Sequence, residues 1–173
     1  MINVKKGVEM RMEIHHKIGK AVCGELRDSG CRIDERLFLL GNLFPDLVHS
    51  YIWRRHEYQH SREYIRKKLD TLKKRSRLIS FHLGILTHYI CDYFCYSHSS
   101  CFGKGLVQHI IYEVRQKIPE KIYKTNLNIK AFSIEELDRF VKWYDDIRAS
   151  LENDESDFHI AAMVASNFLQ AAY

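Results

Sequence analysis

Apolar residues recur at helical spacing along most of this chain. From Ile14 to Leu26 an apolar side chain returns at every fourth position, which is the period of an amphipathic helix. Gly30 follows at the place where a helix C-cap is expected, because glycine adopts the left-handed conformation that such caps need. The pattern therefore predicts a first helix that ends near Asp28.

Later segments repeat this alternation of apolar stripes and helix-breaking residues. A short second helix around Leu37–Leu40 should stop at the sequence GNLFPD, because Gly41 and Pro45 interrupt the pattern there. Residues 41–60 should then be the longest irregular stretch. Five further helices are predicted, over about Ser61–Lys74, Leu78–Phe94, a segment between Gly105 and Pro119, Ser133–Leu151 and Phe158–Ala172.

These elements predict an all-α fold, a single-domain bundle of about seven helices covering residues 1–173. The fourth helix is apolar nearly all round and should lie at the centre. Ser133 and Glu136 form the spacing of a capping box at the start of the sixth helix. Eight glycines and two prolines in 173 residues leave few sites for the turns of an all-β fold.

Composition indicates an intracellular protein. The N-terminal segment carries scattered charges and no apolar core with a cleavage site, so we expect no secretory signal, and no apolar run is long enough for a transmembrane segment. The five cysteines are odd in number and contain no CxxC pair, as is typical of a reducing compartment. We expect a cytoplasmic location.

Positive charge is concentrated between Ser61 and Arg77, within a net charge of +5. Ile65, Leu69 and Leu72 supply a buried stripe for this segment, which favours an ordinary helix with a solvated basic face. The alternative is a non-enzymatic helical module that binds nucleic acid or another polyanion through the basic helix Arg62–Arg77.

Histidine and acidic residues occur at metal-ligand spacing on two predicted helices. His88 and Asp92 are four residues apart, so both side chains lie on one face, one turn apart. His98 follows six residues later, and on a continuous helix it would point away from Asp92, so it should serve a neighbouring ion or follow a helix end. His109 and Glu113 repeat the four-residue spacing on the next helix. Two such pairs predict a multi-metal site between helices.

The combined pattern is more specific than any one pair. An HxxxDxxxxxH segment, then HxxxE, is preceded by Asp46 and His60 fourteen residues apart. With GNLFPD around Asp46 and LGILTHYICDYFCYSH further on, the chain resembles the zinc-dependent phospholipase C family from about His15 to Glu113.

This resemblance implies two or three zinc ions. It assigns the ligands in three groups: Asp46, His60, His88 and Asp92 for a first ion, His98, His109 and Glu113 for a second, and His15 with a shared Asp92 for a third. His15 is preferred to the neighbouring His16 because the residues that follow it then match the family's apolar and small positions. Asp92 and Asp46 are the predicted catalytic residues, the first as the bridge between ions and the second as a base that orients water.

Clustered zinc ions lower the pKa of a bound water, so that hydroxide is available near neutral pH to attack a phosphoester. The resemblance implies a phospholipase C-like phosphodiesterase acting on a small phosphodiester or a phospholipid, with peripheral contact to membrane lipid. Nucleic acid is an alternative substrate with the same metal chemistry. In the non-enzymatic alternative, zinc only stabilises the fold and the basic helix Arg62–Arg77 binds the polyanion.

Two other helical enzyme classes fit the sequence less well. A di-iron carboxylate bundle is suggested by the ExxH pairs Glu13–His16 and Glu57–His60, but it needs further inward glutamates that the sequence lacks. HD-type phosphohydrolases require a His-Asp dipeptide, and the chain contains none.

Overall fold

The computed structural model describes residues 4–48, 57–72, 78–102, 105–116, 119, 122, 133–148 and 155–173. Within these residues the chain is all-helical and has no strand, as predicted. The helices are α1 (Val4–Asp28), α2 (Glu35–Leu47), α3 (Tyr58–Leu72), α4 (Ile79–Tyr93), α5 (Leu106–Arg115), α6 (Ile134–Arg148) and α7 (Glu155–Ala172). A single 3₁₀ turn, Tyr96–His98, lies between α4 and α5.

Helix α4 is the centre of the fold, as its apolar sequence predicts. Every residue from Leu83 to Phe94 is buried. The helix packs against α1, α2, α3 and α7, and one cluster of buried apolar side chains surrounds it. A helix enclosed on all sides must satisfy its polar side chains internally, so His88 and Asp92 on α4 need partners from neighbouring elements.

Helix α1 confirms the predicted stripe and cap. Its four apolar positions from Ile14 to Leu26 are all buried. Gly30 adopts a φ of +90°, and the Cys31 amide donates to the Leu26 carbonyl oxygen at 3.0 Å, which closes the helix end. The buried face of α1 packs against α2, α5 and α7.

Helix α2 shows that the predicted break at GNLFPD is wrong. The helix begins with Asp34 as its N-cap, whose side chain accepts a hydrogen bond from the Leu37 amide at 3.0 Å, and it continues through Gly41 and Pro45 to Leu47. Pro45 lies in the last turn, and the helix there lacks the hydrogen bond that a residue with an N–H would donate to the Gly41 carbonyl oxygen. The buried contact with α4 outweighs the local preference of these residues.

Helices α2 and α4 run parallel with a constant register. The Asp34 amide donates to Ser80 Oγ at 3.0 Å, and His88 Nδ1 lies 2.9 Å from the Asn42 carbonyl oxygen, so partners differ by 46 in number. Between these pairs Gly84 lies against Phe38, where a Cβ atom would come within 2.0 Å of the Phe38 carbonyl oxygen. Glycine is therefore required for the two backbones to touch.

Helix α6 confirms the predicted capping box. The Ser133 amide donates to Glu136 Oε2 at 3.1 Å, and the Glu136 amide donates to Ser133 Oγ at 3.3 Å. Helix α6 is also tied to α3, because Arg62 donates two hydrogen bonds of 2.6 Å to the carboxylate of Asp138. Among the helices that the structure describes, none has the length and apolarity needed to cross a bilayer.

Candidate metal centre

Three helices bring metal-ligating side chains together in the interior. His15 on α1 and His88 with Asp92 on α4 are all buried, and one ligand atom from each lies within 4.8 Å of the other two. Asp46, from the last turn of α2, approaches the same place with only 10% of its side chain exposed. The structure thus brings four of the eight predicted ligands into one cluster.

Asp92 lies at the middle of this cluster. Its Oδ1 is 3.2 Å from His15 Nε2, and its Oδ2 is 3.3 Å from His88 Nε2. The two imidazole rings stack with centroids 4.0 Å apart. Asp46 Oδ1 lies 3.7 Å from His88 Nε2, and its Oδ2 lies 4.0 Å from His15 Nε2. The Nε2 atoms of His15 and His88 therefore both face the two carboxylates.

Asn42 orients the His88 ring and contacts the backbone at His15, and no spacing motif in the sequence indicates this residue. Its backbone carbonyl oxygen lies 2.9 Å from His88 Nδ1. A carbonyl oxygen only accepts hydrogen bonds, so His88 Nδ1 carries the proton and Nε2 is left as the coordinating nitrogen. The Asn42 side-chain amide donates to the His15 carbonyl oxygen, which joins α1 to α2 at the level of the cluster.

A small residue on α1 makes room for Asn42. A Cβ atom at Gly19 would lie 2.5 Å from Asn42 Nδ2 and 3.1 Å from its Cγ. Gly19 is four residues after His15, so it occupies the same face of α1 one turn later. The close approach of α1 and α2 therefore depends on this glycine.

The donor set suits zinc. Two imidazole Nε2 atoms and two carboxylates are the nitrogen and oxygen ligands that zinc prefers in proteins. Asp46 Oδ2 is buried and has no hydrogen-bond donor among the residues that the structure describes. A buried carboxylate oxygen is costly without a compensating cation, and a nitrogen lone pair facing two carboxylates has the same need. A bound cation would satisfy all of these groups at once.

A second group of predicted ligands adjoins the first. His98 belongs to the turn Tyr96–His98, where the helix has ended, and its Nε2 lies 3.9 Å from Asp92 Oδ1. Its ring meets that of His109 on α5 nearly perpendicularly, with centroids 4.7 Å apart. Glu113 lies on α5 one turn after His109, and its side chain is outside the described residues.

His60 is the predicted ligand that the structure places at the surface. Its Nδ1 lies 3.0 Å from Glu57 Oε2, and 44% of its side chain is exposed. This pair at the start of α3 accounts for one ExxH spacing that suggested a di-iron bundle, and a surface pair does not provide an inward-facing ligand. His16 is only partly buried on α1.

A cavity beside Asp92 and His98 contains about 380 Å³ of space that opens to solvent. Its walls come from α1, α4, α7 and the end of α5, and its polar lining includes Gln116 and Asp157. Cys91 and Cys95 also line it, and burial raises the pKa of the Cys91 thiol well above its ordinary value. A protonated thiol behaves as a small apolar group, which agrees with a packing role for Cys91.

The basic face of α3 is largely paired with carboxylates in its described part. Arg62 binds Asp138 through two hydrogen bonds, and Arg66 binds Glu63 in the same way at 2.9 and 2.6 Å. Lys67 lies 3.9 Å from the same Glu63 carboxylate. Residues 73–77 of this stretch lie outside the described part. In the described part of the basic helix, carboxylates therefore engage the guanidinium groups of Arg62 and Arg66, whereas Lys68 lies 3.3 Å from His82 Nδ1.

The described chain is all-helical, and a buried His–Asp cluster between α1, α2 and α4 is able to hold a metal ion. The model of one family, described as zinc dependent phospholipase C, matches residues 14–154, which is most of the chain. The chain belongs to this family, as the resemblance predicted. No curated protein and no solved structure matches the chain.

Proposed function

We propose that this protein is a zinc-dependent hydrolase that cleaves a phosphoester bond, as a phospholipase C-like phosphodiesterase. The observation that supports this most is the buried cluster of His15, His88 and Asp92 in a chain of the zinc-dependent phospholipase C family. Buried imidazoles and carboxylates that converge in this way form a metal site in preference to a packed core.

The proposed ligand groups follow the elements of the fold. Asp46 and His88 hold a first ion, His98 and His109 hold a second together with Glu113, and His15 contributes to a third. Asp92 is shared, because it lies within 4 Å of His15, His88 and His98. His60 enters this proposal through the family resemblance alone.

Bound zinc supplies Lewis acidity, which activates water and neutralises the oxygens of a phosphoester. The chain's own residues have separate tasks around it. Asp92 lies within 4 Å of His15, His88 and His98 and is placed to hold the three imidazoles around the ions. Asp46, whose buried Oδ2 has no hydrogen-bond partner among the residues that the structure describes, is the proposed base that orients the attacking water.

Phospholipid is the favoured substrate class, because the family is named for it. A phospholipid is presented at a membrane surface, so peripheral contact with lipid belongs to this proposal, and so does a smaller phosphodiester as substrate. The polyanion-binding alternative has less support, since Arg62 and Arg66 are each engaged by a carboxylate within the protein.

The test is hydrolysis of p-nitrophenyl phosphocholine by purified protein. We expect release of nitrophenol that a chelator abolishes and zinc restores, while magnesium added to the chelated protein does not restore it. Parallel assays use phosphatidylcholine vesicles and single-stranded RNA. Turnover of RNA alone would keep the metal chemistry and replace the substrate, and no turnover of any phosphoester by zinc-loaded protein would contradict the proposal.

A further inference from the structure

A buried ion pair joins α6 to α7 beside the cavity. Arg148, the last residue of α6, is 6% exposed, and Asp157, in the first turn of α7, is 1% exposed. Arg148 Nε lies 3.2 Å from Asp157 Oδ1. Neither residue is one of the proposed zinc ligands, and Asp157 lines the same cavity as Asp92 and His98.

Both charged groups contact the turn that carries His98. Asp157 Oδ2 accepts a hydrogen bond from the Tyr96 amide at 3.3 Å, at the first residue of the turn Tyr96–His98. The Arg148 guanidinium lies over the Tyr96 ring, with its Cζ 4.4 Å from the ring centroid. The turn is therefore held from its backbone by one residue and from its side chain by the other.

The same guanidinium also reaches α5. Arg148 Nη2 donates to the Tyr112 hydroxyl at 3.1 Å. Tyr112 lies three residues after His109 and immediately before Glu113, and its ring also meets that of Tyr96, with centroids 5.5 Å apart. One arginine thus bridges the two elements that carry the proposed ligands of the second ion.

A buried ion pair is an inefficient way to stabilise a fold, because desolvation of the two charges offsets most of their attraction. What Arg148 provides is direction, since its planar guanidinium donates to the Tyr112 hydroxyl and lies over the Tyr96 ring. The first ligand group has a comparable support in Asn42, which orients His88 and contacts His15. Each half of the cluster would then have its own orienting residue.

We infer that Arg148, assisted by Asp157, is a positioning residue for the second metal site. Arg148 and Asp157 hold the turn that carries His98 against helix α5, which carries His109. This inference rests on the proposed function, because it presumes that zinc binds this cluster. Loss of Arg148 should therefore disturb the second ligand group and leave the first group, which Asn42 supports, intact.

The experiment is zinc titration by calorimetry of metal-free wild-type protein and of Arg148→Met. For the variant we expect the zinc that binds at the second group to weaken by about 10- to 100-fold, as is usual when a residue that orients metal ligands is removed. Zinc at the first group should bind as in the wild type. Arg27→Met is the control, since Arg27 makes an exposed ion pair with Glu35 at 2.9 Å away from the cluster.

A second variant separates positioning from folding. Arg148→Met alone leaves Asp157 buried without its partner charge, so it can destabilise the whole protein. Arg148→Met/Asp157→Asn removes both charges and keeps an acceptor for the Tyr96 amide. We expect it to melt close to the wild type and still to bind the second zinc weakly.

Three results would overturn the inference in different ways. Wild-type zinc affinities in Arg148→Met, or in the double variant, would show that the ion pair does not position ligands. Equal weakening of all zinc sites in a folded variant would show a general structural role. A wild-type protein that binds no zinc would instead remove the proposed function on which the inference depends.

Discussion

The contact between α2 and α4 gives the sharpest prediction about how this fold builds its candidate metal site. Gly84 lies where the two helices touch, and a Cβ atom there would lie 2.0 Å from the Phe38 carbonyl oxygen and 2.7 Å from the Asn42 amide nitrogen. Both neighbours are backbone atoms of one helix, so neither can rotate away. We therefore predict that Gly84→Ala forces α2 and α4 apart.

The size of this effect follows from the distances. Real Cβ atoms essentially never lie closer than 3.0 Å to such a neighbour. Relief of a 2.0 Å contact therefore requires the axes of α2 and α4 to move apart by about 1 Å. Overpacking of a buried site costs roughly 1–3 kcal/mol, and rigid backbone neighbours place this case at or above the upper end. Alanine returns about 1 kcal/mol through its better helix propensity. We expect a net loss of about 2 kcal/mol or more.

Thermal unfolding of metal-free protein, followed by circular dichroism, measures this loss. For a chain of this length, about 2 kcal/mol corresponds to a melting temperature lower by roughly 4–8 °C. Zinc affinity should fall as well, by about 10- to 100-fold, because the shift lengthens the hydrogen bond between His88 and the Asn42 carbonyl.

Gly24→Ala is the matched control. Gly24 lies inside α1, and a Cβ atom there would meet nothing within 4 Å. The same substitution should therefore stabilise the protein by roughly 0.5–1 kcal/mol through helix propensity alone, and zinc binding should not change. If Gly84→Ala were as stable as Gly24→Ala and bound zinc equally well, the parallel packing of α2 on α4 would be wrong.

Two further predictions concern single carboxylates. Asp92→Asn should release zinc, lower the melting temperature through the lost binding energy and eliminate turnover. His82→Asn, on the same helix, is the control and should have none of these effects. The reverse outcome would place the site elsewhere. Asp138 provides a test by pH, because hydrogen bonds from Arg62 lower its pKa below the ordinary value. A lowered folded-state pKa stabilises the protein above the unfolded value of about 3.9 and loses that effect as the pH falls further. Urea unfolding should therefore find Asp138→Asn less stable than wild type at neutral pH and converging with it below about pH 4, and a constant difference would contradict the ion pair with Arg62.

The sequence predicted those elements whose signals are local. The stripe of α1, its cap at Gly30 and the capping box of Ser133 and Glu136 depend on residues within a few positions of one another, and all three are confirmed. The central place of α4 could be predicted for a related reason, because a helix that is apolar on every face has to be enclosed.

The predicted break in α2 failed because its outcome depends on contacts between helices. Gly41 and Pro45 read locally as the end of a helix. A Cβ atom at Gly41 would lie 2.0 Å from the Phe81 carbonyl oxygen, so this glycine serves the approach of α4 and not a helix end. The role of Asn42 could not be predicted for a similar reason. Asn42 belongs to no spacing motif, and it contacts His88 only because α2 and α4 pack in register.

The same distinction between local signals and contacts between helices applies to the candidate site. The spacing of His88 and Asp92 places both on one face of α4, and this could be read from the sequence. That His15 would join them from α1 was predicted by the family resemblance and not by any spacing, whereas the buried pair of Arg148 and Asp157 required the tertiary arrangement. No sequence period connects residues so far apart in the chain.

Counting the metal ions bound by each chain tests the central claim most directly. Elemental analysis of protein purified without chelator, with diffraction at the zinc absorption edge, should give at least two zinc ions per chain. They should lie about 2.0–2.2 Å from imidazole nitrogens and carboxylate oxygens of the cluster around Asp92. Protein that carries no stoichiometric transition metal, and that still binds none after incubation with excess zinc, would contradict the assignment of this cluster as a metal centre.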